Sequence, residues 1–164
     1  RVDSKISGVK EEKSYMAGIY HGDDSLNLIN LIYELNPKMK NINFSFDVYI
    51  TNLKYVKNND LVTILSNALD NAIESAEQSS IKTVSIATDH INTYDVITIV
   101  NSCDNPPKTK GNDLVTTKKD SSIHGLGIKS IQKVLKQYNG DCQWECDKNS
   151  REFTLMISLL SQIK

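Results

Sequence analysis

Apolar positions along this chain change period several times, and each change marks an element. Leu28, Leu31, Ile32, Leu35 and Met39 recur at helical spacing behind Asp23 or Asp24 as a cap, and Pro37 should end or kink that helix near Asn36. Ile42, Phe44, Phe46 and Val48 then alternate, which predicts a half-buried strand. The helical period returns at Leu61, Ile64, Leu65, Leu69 and Ile73, predicting a helix capped near Asn58 to Asp60 and running to about Gln78. Two strands near Thr83 to Thr88 and Val96 to Asn101 follow, joined as a hairpin by a short polar turn containing Asp89, Asn92 and Asp95. Ile128, Ile131, Val134 and Leu135 share one face of a last helix from Gly125 to about Tyr138, which Asn139-Gly140 stops. Strands near Asp141 to Cys146 and Glu152 to Leu159 close the chain, the second alternating Phe153, Leu155, Ile157 and Leu159.

Two stretches fit neither period. Ser4 to Tyr20 is mixed and reads as the frayed end of a helix that continues upstream, so 1–21 is taken as a remnant of an upstream helix or linker and 22–164 as the domain. Ser102 to Ile123 collapses into Asn, Pro, Gly, Lys and Asp. A structureless connection of about 20 residues is uncommon in a compact domain and is usually functional or disordered. The order helix, strand, helix, two strands, helix, two strands predicts an α+β fold. Its architecture would be a two-layer α/β sandwich with a mixed, mostly antiparallel sheet and helices on one face.

Composition narrows the function classes. At 164 residues the chain is one domain by the usual prior. Nineteen Lys plus Arg against twenty Asp plus Glu give a net charge of −1 with no long run of one sign, so no nucleic-acid partner is expected. The longest apolar runs, such as Val96 to Val100, are strand-sized, so no direct membrane contact is expected either. Arg1 in place of an initiating Met, with no signal-peptide pattern, reads as a piece cut from a longer protein. Cys103, Cys142 and Cys146 have neither C-x-x-C spacing nor a neighbouring His. They read as small packed residues in a reducing compartment.

Candidate chemistry sits in two places. Asn67 and Asn71 lie one turn apart on an otherwise apolar helix, although asparagine is a poor helix former. A nucleotide with a divalent metal would give them a reason. Mg²⁺ takes oxygen ligands, keeps several waters and is commonly held by one or two protein oxygens plus substrate phosphates. Neutral amide ligands leave its charge for the phosphates. His124-Gly125-Leu126-Gly127 opens the last helix in this reading, offering backbone N–H groups and the positive end of the helix dipole to an anion. Lys118 would reach the same phosphates if the loop folds over them.

In their order and spacing, Asp60 to Ala72 and Thr116-Thr117-Lys118 through Ile128 resemble the N-box and the lid end plus G2-box of the GHKL ATP-binding superfamily, which includes sensor histidine kinases and gyrase-type ATPases. The resemblance covers about Gly22 to Leu160. Within it, Asp70 to Glu74 and Thr117 to Ile128 are most similar to the catalytic and ATP-binding domain of AgrC-like quorum-sensing kinases of Gram-positive bacteria. This likeness implies the Bergerat fold, with ATP between the asparagine helix and the lid. It implies Asn71 as principal Mg²⁺ ligand and Asn67 as helper, with Lys118, His124, Gly125, Leu126 and Gly127 on the phosphate side.

The departures from the family pattern carry information. Most kinases place Asp-x-Gly-x-Gly after the third strand, and its Asp accepts a hydrogen bond from the adenine amino group. Here the chain reads Val100-Asn101-Ser102-Cys103-Asp104-Asn105, so Asn101 takes the acceptor role and both glycines are missing. Glu74 stands where many kinases carry a phosphate-binding Lys, and Thr63 where the ATPase relatives carry the carboxylate that activates water. Net hydrolysis is therefore expected to be poor.

The resemblance further implies transfer of the ATP γ-phosphate to a histidine on the protein's own dimerisation domain, then to a response regulator. The full-length protein would be a homodimer with this domain on the cytoplasmic side of the membrane. The alternative is a noncatalytic module that keeps the fold and works through protein contacts.

Overall fold

The computed structural model describes residues 3–7, 15–21, 41–48, 53–110, 113–115 and 121–162. The strands are β1 (Asp3–Ser7), β2 (Tyr15–His21), β3 (Asn43–Val48), β4 (Thr83–Ile91), β5 (Tyr94–Ser102), β6 (Lys108–Lys110), β7 (Asp113–Val115), β8 (Asp141–Asp147) and β9 (Glu152–Leu160). The described α-helices are α1 (Asn58–Glu77) and α2 (Ser121–Leu135). Short 3₁₀ turns at Leu53–Tyr55 and Lys136–Tyr138 precede α1 and follow α2.

Seven strands form one mixed sheet in the order β1-β2-β3-β4-β5-β9-β8. β2–β3 and β3–β4 are parallel and the other neighbours antiparallel. The parallel β3–β4 pair needs a crossover, and α1 supplies it. Alternation decides which face the helices cover. Phe44, Phe46 and Val48 of β3, Val84 and Ile86 of β4, Ile97 and Ile99 of β5, and Leu155, Ile157 and Leu159 of β9 are buried in one cluster. Leu61, Ile64, Leu65, Ala68, Leu69, Ala72, Ile73 and Ala76 of α1 and Ile131 and Leu135 of α2 complete it. On the other face Gln143, Glu145 and Met156 are exposed. This is the α+β two-layer sandwich with the mostly antiparallel mixed sheet that the pattern predicts.

Three local expectations change. Asp3–Ser7 and Tyr15–His21 are strands rather than the end of a helix, and β2 pairs along β3 from Tyr15↔Asn43 to Tyr20↔Val48. Sheet pairing outweighs the weak local pattern there. The stretch after Ser102 is not structureless, since β6 and β7 pair as a small antiparallel hairpin. The β4–β5 turn is only Asn92-Thr93, with Ile91 opposite Tyr94 and Asn92 at φ 56°, a left-handed conformation that asparagine tolerates. The helix expected from Asp24 to Met39 lies outside the described residues.

Polar contacts fix both ends of α1. The N-cap is Lys57, not an Asn or Asp, and its side chain makes no cap bond. Its N–H donates instead to the Tyr138 hydroxyl at 3.1 Å, and that hydroxyl donates to Asp60 in the first turn. Beside it, Tyr55 donates to Asp95 Oδ2 at 2.7 Å, and His90 Nδ1 is 2.9 Å from Asp95 Oδ1. Asp95 is 0% exposed, so these two partners satisfy a carboxylate withdrawn from water. At the other end Ser79 Oγ meets Ser102 Oγ at 2.6 Å, and Ser102 Oγ accepts from Thr83 N–H at 2.9 Å. Ser80 donates from its N–H and Oγ to Asp104 at 2.9 and 3.0 Å. Asn139-Gly140 ends the helical segment as predicted, and the structure shows why. Asn139 takes φ 47°, Gly140 N–H returns to Leu135 at 2.9 Å, and a Cβ on Gly140 would sit 2.3 Å from the Ser158 carbonyl oxygen.

Two outcomes follow from this packing. Gly140→Ala should destabilise the domain by about 2 kcal/mol or more, because the obstacle is strand backbone, and Leu65→Ala by about 3 kcal/mol as a core cavity; denaturant unfolding measures both. Burial, then the hydrogen bond to Asp95 and its charge, push the Tyr55 phenol well above the usual tyrosine range. The folded state therefore keeps a proton that the unfolded chain releases as pH rises past about 10, and stability should fall there. Tyr55→Phe should flatten that alkaline slope of Tm against pH while lowering Tm at neutral pH.

Candidate functional site

Asn67 and Asn71 occupy successive turns of α1, both half-buried, on the side that α2 approaches. Asn67 Nδ2 donates back to the Thr63 carbonyl at 2.8 Å, which fixes the amide and turns Oδ1 the other way. Thr63 itself is tied to the Asn59 carbonyl through Oγ1 at 2.9 Å. It holds no carboxylate that could take a proton from water.

Across from this pair stands Gly127. It is buried, and a Cβ built on it would lie 3.2 Å from Asn71 Nδ2 and 3.6 Å from both Asn67 Oδ1 and Asn71 Oδ1. Any side chain at this position would push into the two carboxamides. Two motifs about fifty residues apart in sequence are thereby brought into contact.

The rest of the predicted phosphate side is placed differently. α2 begins at Ser121, so Gly125 and Gly127 lie inside the helix rather than at its start. The first-turn N–H groups without a partner in the helix are those of Ser121, Ser122 and Ile123. His124 completes that turn, and Gly125 and Leu126 follow it by backbone position. Lys118 lies outside the described residues.

Asn101 is 3% exposed near the end of β5, on the helix-covered face, between Val84 of β4 and Phe153 of β9. Its Nδ2 donates to the Ser102 carbonyl at 3.0 Å, which leaves Oδ1 as the acceptor of that amide. The Ser79–Ser102 and Ser80–Asp104 contacts latch this strand end to the chain leaving α1. Cys103 and Asn105 stand where the family pattern has glycines, and the latching residues Ser102 and Asp104 alternate with them. Sequence reasoning missed that latch, and also the buried Asp95, because neither makes a motif at fixed spacing.

The donor set fits a hard cation of the magnesium type. Asn67 and Asn71 offer neutral amide oxygens beside Gly127, and no group of three or more His, Cys, Asp or Glu that could hold a metal occurs among the described residues. A cation here would take its remaining ligands from phosphate and water. A separate open groove of about 470 Å³ runs along α2 between Lys129, Lys133, Lys136 and Asp141 and contains none of these residues. Among the described residues no helix is long and apolar enough to cross a membrane.

The comparisons bear on the family and the fold. The family model described as the GHKL domain matches residues 56–159. No curated protein matches the chain. The catalytic domain of the histidine kinase ThkA, in a nucleotide-free crystal form, superposes with a TM-score of 0.58 at 18% identity, covering 82% of this chain and 88% of that one. The histidine kinase AdeS of Acinetobacter baumannii gives 0.57 at 13%, over 86% of this chain and 66% of its own. Full-length ShkA in complex with AMPPNP gives 0.63 at 14%, over 84% of this chain and 30% of its own. At these identities the likeness is one of fold, that of histidine kinase catalytic domains. The family match spans both asparagines and Gly127, and the chain belongs to the GHKL domain family.

Proposed function

We propose that the chain is the ATP-binding catalytic domain of a two-component sensor histidine kinase. The observation that carries this reading is the meeting of Asn67 and Asn71 of α1 with Gly127 of α2, which puts both carboxamides against α2 within two turns of its N-terminal end. Mg²⁺, when bound by Asn71 with Asn67 as helper, would draw charge from the phosphates during transfer. The chain's own part is positioning. First-turn N–H groups of α2, from Ser121 to Ile123, would face an anion with the helix dipole behind them. Lys118 adds a cation, and the near absence of side-chain bulk at Gly125 and Gly127 lets the backbone come close. Asn101 Oδ1 accepts from the adenine amino group, its Nδ2 already engaged by Ser102.

Thr63 supports transfer over hydrolysis, since its hydroxyl is engaged by Asn59 and cannot act as a base toward water. The phosphate acceptor would be a histidine on the protein's own dimerisation domain, brought in line with the γ-phosphate, with a response regulator downstream. Asp70 to Glu74 and Thr117 to Ile128 support placement in the AgrC-like group, hence a homodimeric membrane protein with this domain on the cytoplasmic side. The rival reading, a noncatalytic module, draws on the latched strand end at Asn101 to Asp104, which lacks the family glycines.

Calorimetry with ATP and ADP separates the two. Binding in the micromolar to sub-millimolar range that needs Mg²⁺ and weakens about tenfold or more in Asn71→Ala is expected. No heat up to millimolar nucleotide would favour the noncatalytic module. The isolated domain should hydrolyse ATP very slowly, yet phosphorylate an added cognate dimerisation domain. Transfer to serine instead of histidine would reject the proposed activity.

A further inference from the structure

Cys103 follows β5 directly, two residues beyond Asn101, and Cys146 lies near the end of β8. The strand β9 runs between β5 and β8, yet the two sulfurs meet at 3.8 Å beside the end of β9. Both face the helix side, where Trp144 stacks on Phe153 with ring centroids 5.8 Å apart. Cys103 is buried and Cys146 half-buried, so a dissolved reagent meets Cys146 first. Cys142 is buried too, but makes no sulfur contact among the described residues. No metal-holding group of three includes the pair among the described residues.

We infer that Cys103 and Cys146 form an oxidation site that a peroxide converts into an internal disulfide across the end of β9. In the first step the Cys146 thiolate sulfur attacks a peroxide oxygen. The S–O bond forms, the O–O bond breaks, and the departing hydroxide takes up the proton that the thiol released. In the second step the Cys103 sulfur attacks the Cys146 sulfenic sulfur. The S–S bond forms, the S–O bond breaks, and hydroxide leaves as water with the Cys103 proton. The two sulfurs together lose two electrons, and the peroxide is reduced to two waters.

Closing 3.8 Å to the roughly 2.05 Å of a disulfide moves the sulfurs by about 1.8 Å. The movement falls on the segment after Ser102 and on the β8–β9 turn, which are joined by the Cys103 N–H to Arg151 carbonyl bond of 2.8 Å. Burial, then the hydrogen bond of the Cys103 thiol with Cys146, push that thiol up to about 11, so it keeps its proton at neutral pH and the second step is slow. The bridge would join residues 43 apart and enclose β6, β7 and α2 in one covalent loop, with the end of β5 tied to β8.

The test is chemical and independent of nucleotide binding. The reduced protein is treated with a small excess of hydrogen peroxide, its free thiols are counted, and its peptides are mapped by mass spectrometry. The expected result is a fall from three thiols to one, a Cys103–Cys146 crosslinked peptide two hydrogens lighter, and full reversal by dithiothreitol. Cys142→Ser should keep the crosslink and Cys146→Ser should abolish it. Oxygen adducts on separate cysteines without that peptide, or crosslinks only between chains, would overturn the inference.

Discussion

The approach of α2 to the asparagine face of α1 is the constraint on which the rest depends. At Gly127 a single added carbon would come within 3.2 Å of Asn71 Nδ2, tighter than ordinary van der Waals contact. The glycine therefore serves contact between helices, and its conformational freedom is a lesser matter. Because that contact is close, the two carboxamides of α1 are held against α2 within two turns of its N-terminal end.

Precision at that point relies on what holds α1. The helix is fixed at its N-terminal end by Tyr55, Tyr138 and the buried Asp95, and at its C-terminal end by Ser79 and Ser102. Buried polar networks are costly unless complete, and no buried side-chain polar atom among the described residues lacks a partner. Each end also joins α1 to β5, the strand that carries Asn101. The base side and the phosphate side of the proposed site thus share one rigid unit.

Much of this was legible in the residues alone. Period-2 alternation located β3 and β9, and the helical period located α1, because burial on one face writes itself into the spacing. Asn67 and Asn71 stood out for an opposite reason, as residues that local helix propensity disfavours, and Gly127 as part of a glycine pair at an expected helix start. What escaped was set by partners distant in sequence. β2 owes its state to pairing with β3, not to its own pattern. The start of α2 at Ser121 lies in a polar stretch that carries no apolar period. Asp95 looked like a turn residue until Tyr55, forty positions earlier, supplied its donor. The Cys103–Cys146 contact spans a third strand and leaves no spacing signal.

The most direct test of the account is nuclear magnetic resonance of the side-chain amides as Mg²⁺ and AMPPNP are added together. The account predicts that the Asn67 and Asn71 amide signals shift with a common affinity, followed by the Gly127 backbone amide, while the Trp144 indole signal stays in place. Shifts confined to the lysine groove of α2, with both asparagine amides unmoved, would contradict it.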